Sequence, residues 1–280
     1  DQDLFRGRGR RGAVSRELVG IRRSLLELTE LAELAAAAHD EGYPTVALAD
    51  GSLIMWTLEG KPRGFRQEFL ESMLSAFETL RRRRVPVAGY LSRPGAQDLT
   101  NALRLGLCPL EAADCDHCPW MAEPSARTQD TPSLSVDRAQ EDLPCGAIDG
   151  VGDAAVLRRM LQPGDRSAVF ESPSQLVESY YGEHGLFFFY VNVGEEIGRV
   201  EVPSWVARDE RSLALAHSLI VDQCRRGLGY PVALTEAHEQ AVVTGADRRY
   251  FTELVENALN GQNLPIYNSE KSRAKRLRRL

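Results

Sequence analysis

The sequence predicts an α/β fold: a mixed sheet flanked by helices, with a helical and loop insert. Three observations carry this. Short apolar runs at residues 45–49, 85–91 and 185–193 suit buried strands. Between them, apolar residues recur at helical spacing, as in Leu18, Ile21, Leu25, Leu28, Ala32 and Ala35. The chain has 280 residues, 43% hydrophobic and 26% charged, which is ordinary for a soluble globular protein and allows one large domain or two small ones.

In chain order, residues 5–12 (F-R-G-R-G-R-R-G) open a basic, glycine-rich arm over 1–13, read either as a phosphate contact or as a solvated tail. The main domain is expected over 14–268 and a basic tail over 269–280. A long amphipathic helix over 14–39 stops at Gly42-Tyr43-Pro44. The chain is organised around the next stretch, T-V-A-L-A-D-G-S-L-I from Thr45 to Ile54, expected as a buried central strand that ends in a carboxylate. Such an acid is costly to bury unless it is paired or holds a cation, which makes Asp50 the first functional candidate. The alternative is that Asp50-Gly51 is only a hairpin turn. Residues 55–58 are expected as the partner strand of that hairpin.

Residues 65–84 read as a helix carrying Glu68, Glu71 and Glu78 and ending in four arginines, cations that suit a helix C-terminus. A strand over 85–91, a turn at Ser92-Arg93-Pro94-Gly95 and a helix over 97–105 with Asp98 in its first turn come next. Further along are helices at 151–161 and 176–181, a strand at 165–171, and a hairpin of 185–193 with 198–205. In that hairpin Arg199 and Glu201 share one face, expected to border a groove. A helix over 212–224, a short strand at 230–233 and helices at 235–243 and 247–259 close the domain. The tail carries Lys271, Arg273, Lys275, Arg276, Arg278 and Arg279, for nucleic acid or an acidic partner, or as a frayed end.

Acids arriving from separate elements are what a divalent-metal phosphodiesterase needs, because Mg²⁺ and Mn²⁺ prefer oxygen ligands and neutralise charge growing on the phosphate. Each helical glutamate taken alone also fits a solvated helix face. The segment at about 106–146 differs: it holds Cys108, Cys115, Cys118, Cys145 and His117. Cys115-Asp-His-Cys118 has the spacing of a metal knuckle, which makes a structural zinc or iron–sulfur site one reading and free thiols the other.

A net charge of −6 disfavours a simple nucleic-acid coat but leaves a nuclease open, since only the field over a groove matters there. No apolar stretch is long enough to span a bilayer and no secretory signal stands at the start. Five cysteines without a framework suit a reducing cytosol. The expectation is a cytoplasmic, nucleoid-associated protein without a membrane contact.

The ordered stretches A-L-A-D-G-S-L-I, V-A-G-Y-L-S-R-P-G-A-Q-D-L, R-V-E-V-P-S-W-V-A and D-Q-C-R-R-G-L-G-Y-P-V-A-L-T-E-A-H-E resemble the NurA nucleases, DNA-end-processing partners of the hexameric HerA ATPase. The resemblance implies a ribonuclease-H-like sheet, Mn²⁺- or Mg²⁺-dependent cutting of DNA (5′–3′ exonuclease and single-strand endonuclease), a homodimer, and docking on a HerA-type motor in end resection or phage defence. The alternative is a catalytically silent adaptor that caps the motor. Carried over residue by residue, the resemblance puts Asp50, Tyr230 and His238 in the site, the last two eight positions apart (238 − 230 = 8) as in the family. Glu71 is chosen as the helical acid over Glu68 and Glu78, and Asp98 as the third acid, with Asp153 in reserve. The expected metal ligands are thus Asp50, Glu71, Asp98 and His238, and the expected DNA contacts Arg93, Arg199, Lys271 and Arg273. The cysteine-bearing insert departs from archaeal members.

Overall fold

A computed structural model of the chain describes residues 16–110, 113–115, 118 and 144–261. The basic arm, the tail with Lys271 and Arg273, His117 and most of the insert lie outside the described residues. The chain divides into two compact units, Asp1–Leu234 and Thr235–Leu280.

The first unit is built on a five-stranded mixed sheet. Its strands are β1 (Ala47–Asp50), β2 (Val87–Leu91), β3 (Phe170–Glu171), β4 (Leu186–Asn192) and β5 (Ile197–Pro203), in spatial order β1-β2-β5-β4-β3. The pair β1–β2 is parallel and the others are antiparallel. The parallel pair needs a crossover, supplied by α2 (Arg63–Arg83); β4 and β5 are consecutive and form a hairpin. This is the α/β architecture of a mixed sheet flanked by helices that the sequence predicts.

Strand alternation sends successive side chains to opposite faces. On one face, α1 (Arg16–Asp40) contributes Ile21, Leu25 and Leu28, and α2 contributes Phe69, Met73, Phe77 and Leu80, all packed on Ala47 and Val87. Phe77 and Leu80 are wholly buried. Burial of each such side chain stabilises the fold by about 1.5–3 kcal/mol. On the other face, α7 (Glu210–Arg226) lays Leu213, Ile220 and Val221 against Ala88, Tyr90, Val200 and Val202. Back on the α1–α2 face of the sheet, the small helix α4 (Asp153–Met160) adds Leu157 to Phe188, Tyr190 and Ile197. The remaining helices of this unit are α3 (Asp98–Gly106), α5 (Gln175–Tyr180) and α6 (Ser204–Ala207). Helix α8 (Val232–Ala241) starts at its end, and the second unit holds the rest of α8 and α9 (Gly245–Gly261). No helix among the described residues is long and apolar enough to cross a membrane.

Three elements differ from the sequence reading. Residues 55–58 form no hairpin strand: Trp56–Leu58 is a turn of 3₁₀ helix. After Asp50 the chain turns over β2, where Glu201 takes the Ser52 hydroxyl and the Leu53 amide, and so it does not double back along the open edge of β1. Of 165–171 only Phe170–Glu171 joins the sheet, with an isolated bridge from Arg166 to Val191. Residues 230–233 are not a strand, because α8 begins at Val232, directly after Pro231, whose fixed φ suits a helix start.

One close approach fixes where the end of β1 goes. A side chain at Gly89 would place its Cβ 2.5 Å from the Gly51 carbonyl oxygen and 2.9 Å from Leu53 Cγ. The chain after Asp50 thus lies directly over β2. Substituting Gly89→Ala is expected to destabilise the fold by about 1–3 kcal/mol, read as a lowered urea midpoint, through the overpacking penalty.

The surface of α2 carries a second checkable feature. Glu78 accepts from Arg81 Nε at 2.6 Å and Arg82 Nε at 2.8 Å. Those two guanidinium groups, Arg81 first, hold its pKa down from 4.5 to about 2. The folded pKa is depressed, so the contribution is present above 4.5 and is lost as pH falls through about 2. Chemical denaturation of wild type and Glu78→Gln is expected to show a gap at pH 7 that narrows through this window.

Candidate active site

Asp50 ends β1 and stands exposed at the C-terminal edge of the sheet. Its register partner is Tyr90 on β2, which puts both side chains on the face covered by α7. Tyr230 reaches the same place from the turn after α7 and donates its hydroxyl to Asp50 Oδ1 at 2.7 Å. That turn is G-L-G-Y-P, and Gly227 is indispensable to it: a Cβ there would lie 1.9 Å from the Tyr230 carbonyl oxygen. The Tyr90 and Tyr230 rings meet edge to face at 5.6 Å between centroids. Tyr90 in turn donates to Glu196 Oε1 at 3.1 Å, and Ser92 donates to Glu196 Oε2 at 2.9 Å.

Two carboxylates, Asp50 and Glu196, are therefore each held by a tyrosine hydroxyl of one aromatic pair. Burial raises the pKa of both tyrosines; for Tyr230 the bond to the Asp50 carboxylate adds to it. Both remain protonated donors at neutral pH. Cys224, beneath them on α7, is fully buried and its thiol is pushed up to about 11, chiefly by burial, which keeps it neutral.

The opposite face holds a different cluster. Arg199 and Glu201 project from β5 on the side of Gly89, and Arg199 stacks on the Phe188 ring at 3.7 Å from its centroid. The Arg199 guanidinium bonds Asp98 and lies 3.3 Å from Glu201 Oε1. Glu201 Oε2 accepts from Ser52 Oγ at 2.7 Å and from the Leu53 amide at 2.9 Å. The expectation that Arg199 and Glu201 border a groove holds: both line a cleft of about 350 Å³.

Of the expected site residues in the first unit, the structure brings Asp50 and Tyr230 together and sets Glu71 and Asp98 apart from them. Asp98 lies on the opposite face, engaged by Arg199. Glu71 is exposed on the outer side of α2, where it accepts from Gln67 Nε2 at 2.8 Å. His238 is exposed on α8 within the second unit. Arg93 is exposed in the turn after β2, with a left-handed φ of 45° and its Nε 3.8 Å from Glu196. Arg199 is only 6% exposed, hence no surface cation. Cys108, Cys115, Cys118 and Cys145 form no disulfide. Among the described residues no three His, Cys, Asp or Glu side chains form a group that could hold a metal.

Asp153, the acid in reserve, has a structural task. Fully buried, it accepts from the Leu99 and Thr100 amides, from Thr100 Oγ1 at 3.0 Å and from the Tyr190 hydroxyl at 2.6 Å. It therefore caps the N-terminus of α3 from a distance of more than fifty residues in sequence. Sequence reasoning misses Glu196 and Glu201 as acids of the two clusters. For Glu201 the strand alternation gives only its face. Glu196 sits in the β4–β5 turn, where only the pairing register shows that it reaches Tyr90.

The family model for the NurA domain matches residues 1–243. No curated protein and no solved structure matches the chain.

Replacing Asp153 by Ala strands two buried amides and two hydroxyls. A loss of about 3 kcal/mol or more in unfolding free energy is expected, since each unsatisfied buried group costs about 1–3 kcal/mol. Denaturant titration checks it, and Asp153→Asn should recover part of the loss.

Proposed function

The chain belongs to the NurA family, a nuclease family linked to DNA processing, and on that premise we propose that it is a divalent-metal-dependent deoxyribonuclease whose centre is built on Asp50. The observation that carries this reading is the exposed Asp50 carboxylate at the end of β1, held by the Tyr230 hydroxyl. The donor chemistry suits a hard cation. Mg²⁺ is commonly held by one or two carboxylates and completes its shell with water and substrate phosphate. Asp50 and Glu196 are the two carboxylates fixed by the tyrosine pair, and they take the place of Glu71 and Asp98 in this proposal. When bound, Mn²⁺ or Mg²⁺ supplies charge neutralisation at the scissile phosphate.

The chain's own groups do the rest. The Tyr230 hydroxyl orients Asp50, and its raised pKa keeps it a donor rather than a competing anion. Arg93, exposed beside Glu196, offers a cation to the DNA backbone, a contact that weakens with salt. His238 is assigned to proton transfer or phosphate contact on the family pattern. These 280 residues contain no Gly-x-x-x-x-Gly-Lys-Ser/Thr loop, and a hexameric HerA-type ATPase is the proposed partner of a NurA homodimer. Exonuclease and single-strand endonuclease activity in end resection or phage defence complete the proposal.

The alternative reading is a catalytically silent adaptor that caps a DNA translocase.

Cleavage of end-labelled DNA with Mn²⁺ separates the two. Asp50→Ala and Glu196→Gln should fold as wild type by circular dichroism and cut on the order of 100-fold more slowly, the scale for losing a ligand or its support. Equal cutting by wild type and Asp50→Ala would refute the assignment of the centre. No cutting by wild type, with or without a motor, would favour the adaptor.

A further inference from the structure

The cleft on the Arg199 face takes no part in the centre built on Asp50. Its floor is Asp98, Arg199 and Glu201; its walls include Trp56, Pro94 and Pro173. Arg199 is enclosed to all but 6% of its surface, and its Nε makes no hydrogen bond. The charges on the floor exclude two ligand classes. Two carboxylates against one guanidinium leave a negative excess, which repels phosphate and other anions. The guanidinium lies between the carboxylates, where a metal ion would otherwise sit, so a cation meets like charge there. A neutral ligand with both donors and acceptors remains.

The walls narrow the class further. Trp56 is 49% exposed, and its Nε1–H is anchored on Ser52 Oγ at 3.2 Å, so its ring is held in place while half of the residue stays open. An anchored, open indole flanked by two prolines is a platform for a planar ring. A volume of about 350 Å³ admits one such ring with room for its substituents.

We propose that this cleft receives one unpaired nucleobase of single-stranded DNA, stacked on Trp56 and hydrogen-bonded at its edge by Asp98 and Arg199. This rests on the reading of the chain as a nuclease that cuts single-stranded DNA and adds to it a seat for one base, which a duplex does not fill because a stacked base does not leave its stack without cost. Ser52, which anchors Trp56 and is gripped by Glu201, stands two residues after Asp50. The cleft and the candidate centre thus share one fixed segment of chain.

The test uses the full chain without divalent metal, with fluorescence anisotropy of labelled oligothymidine of about 12 nucleotides and of an abasic strand of equal length. Wild type should bind the base-bearing strand about tenfold more tightly. Trp56→Ala should bring the two strands to near parity with the salt dependence unchanged, whereas Trp56→Phe should keep the preference. The phenylalanine variant serves if the alanine variant fails to fold: a preference lost there too would overturn the stacking role. Equal binding of both strands by wild type, or a full preference in Trp56→Ala, overturns the base pocket while the DNA reading stands. Failure of wild type to bind either strand overturns both.

Discussion

A buried guanidinium with two carboxylate partners is the constraint from which the sheet takes its functional layout. Arg199 is almost fully enclosed, on the Phe188 ring, and such a charge is tolerated only where partners neutralise it. Asp98 comes from the helix after β2 and Glu201 from the same strand as Arg199. Glu201 then spends its second oxygen on Ser52 and the Leu53 amide. Breaking a buried pair of this kind typically costs about 3–5 kcal/mol, because the remaining charge is left without compensation. The turn after Asp50 is held from below by this chain of contacts and from the side by the missing side chain of Gly89.

The sheet therefore sorts its acids. Glu201 and Asp98 are committed on one face to the internal cation, and Asp153 to the amides of α3. On the other face Asp50 and Glu196 meet protonated tyrosines, which donate to carboxylates without cancelling their charge, and the cation beside Glu196, Arg93, is solvent-exposed at 3.8 Å. A hydroxyl donor orients an acid and leaves it anionic; a guanidinium neutralises it. That difference is why the proposed centre lies at the tyrosine pair and the proposed base pocket at the arginine.

Much of this layout is legible in the residues. The β-prone 185–193 stretch and the shared face of Arg199 and Glu201 appear in the structure in the roles that spacing assigns them, while the apolar run before Asp50 forms a strand at the partly buried edge of the sheet rather than at its centre. Other parts are not. Asp98 looks like a free acid just past a strand, and only the fold supplies its arginine. Glu196 looks like an ordinary hairpin-turn residue until register places it beside Tyr90. The strand expected at 55–58 fails because β propensity carries no information about the Glu201 contacts that draw the chain over β2.

The sequence by itself determined the local chemistry: where an acid ends a buried strand, where glycines permit the turn that carries Tyr230, which residues share a face, and which family the ordered stretches resemble. The tertiary structure alone decided which acids are neutralised and which stay available. Periodicity of two or of 3.6 assigns a side chain to a face of its own element. Partners more than a hundred residues apart, such as Arg199 with Asp98 or Tyr230 with Asp50, are chosen by sheet register and crossover, which no local period encodes.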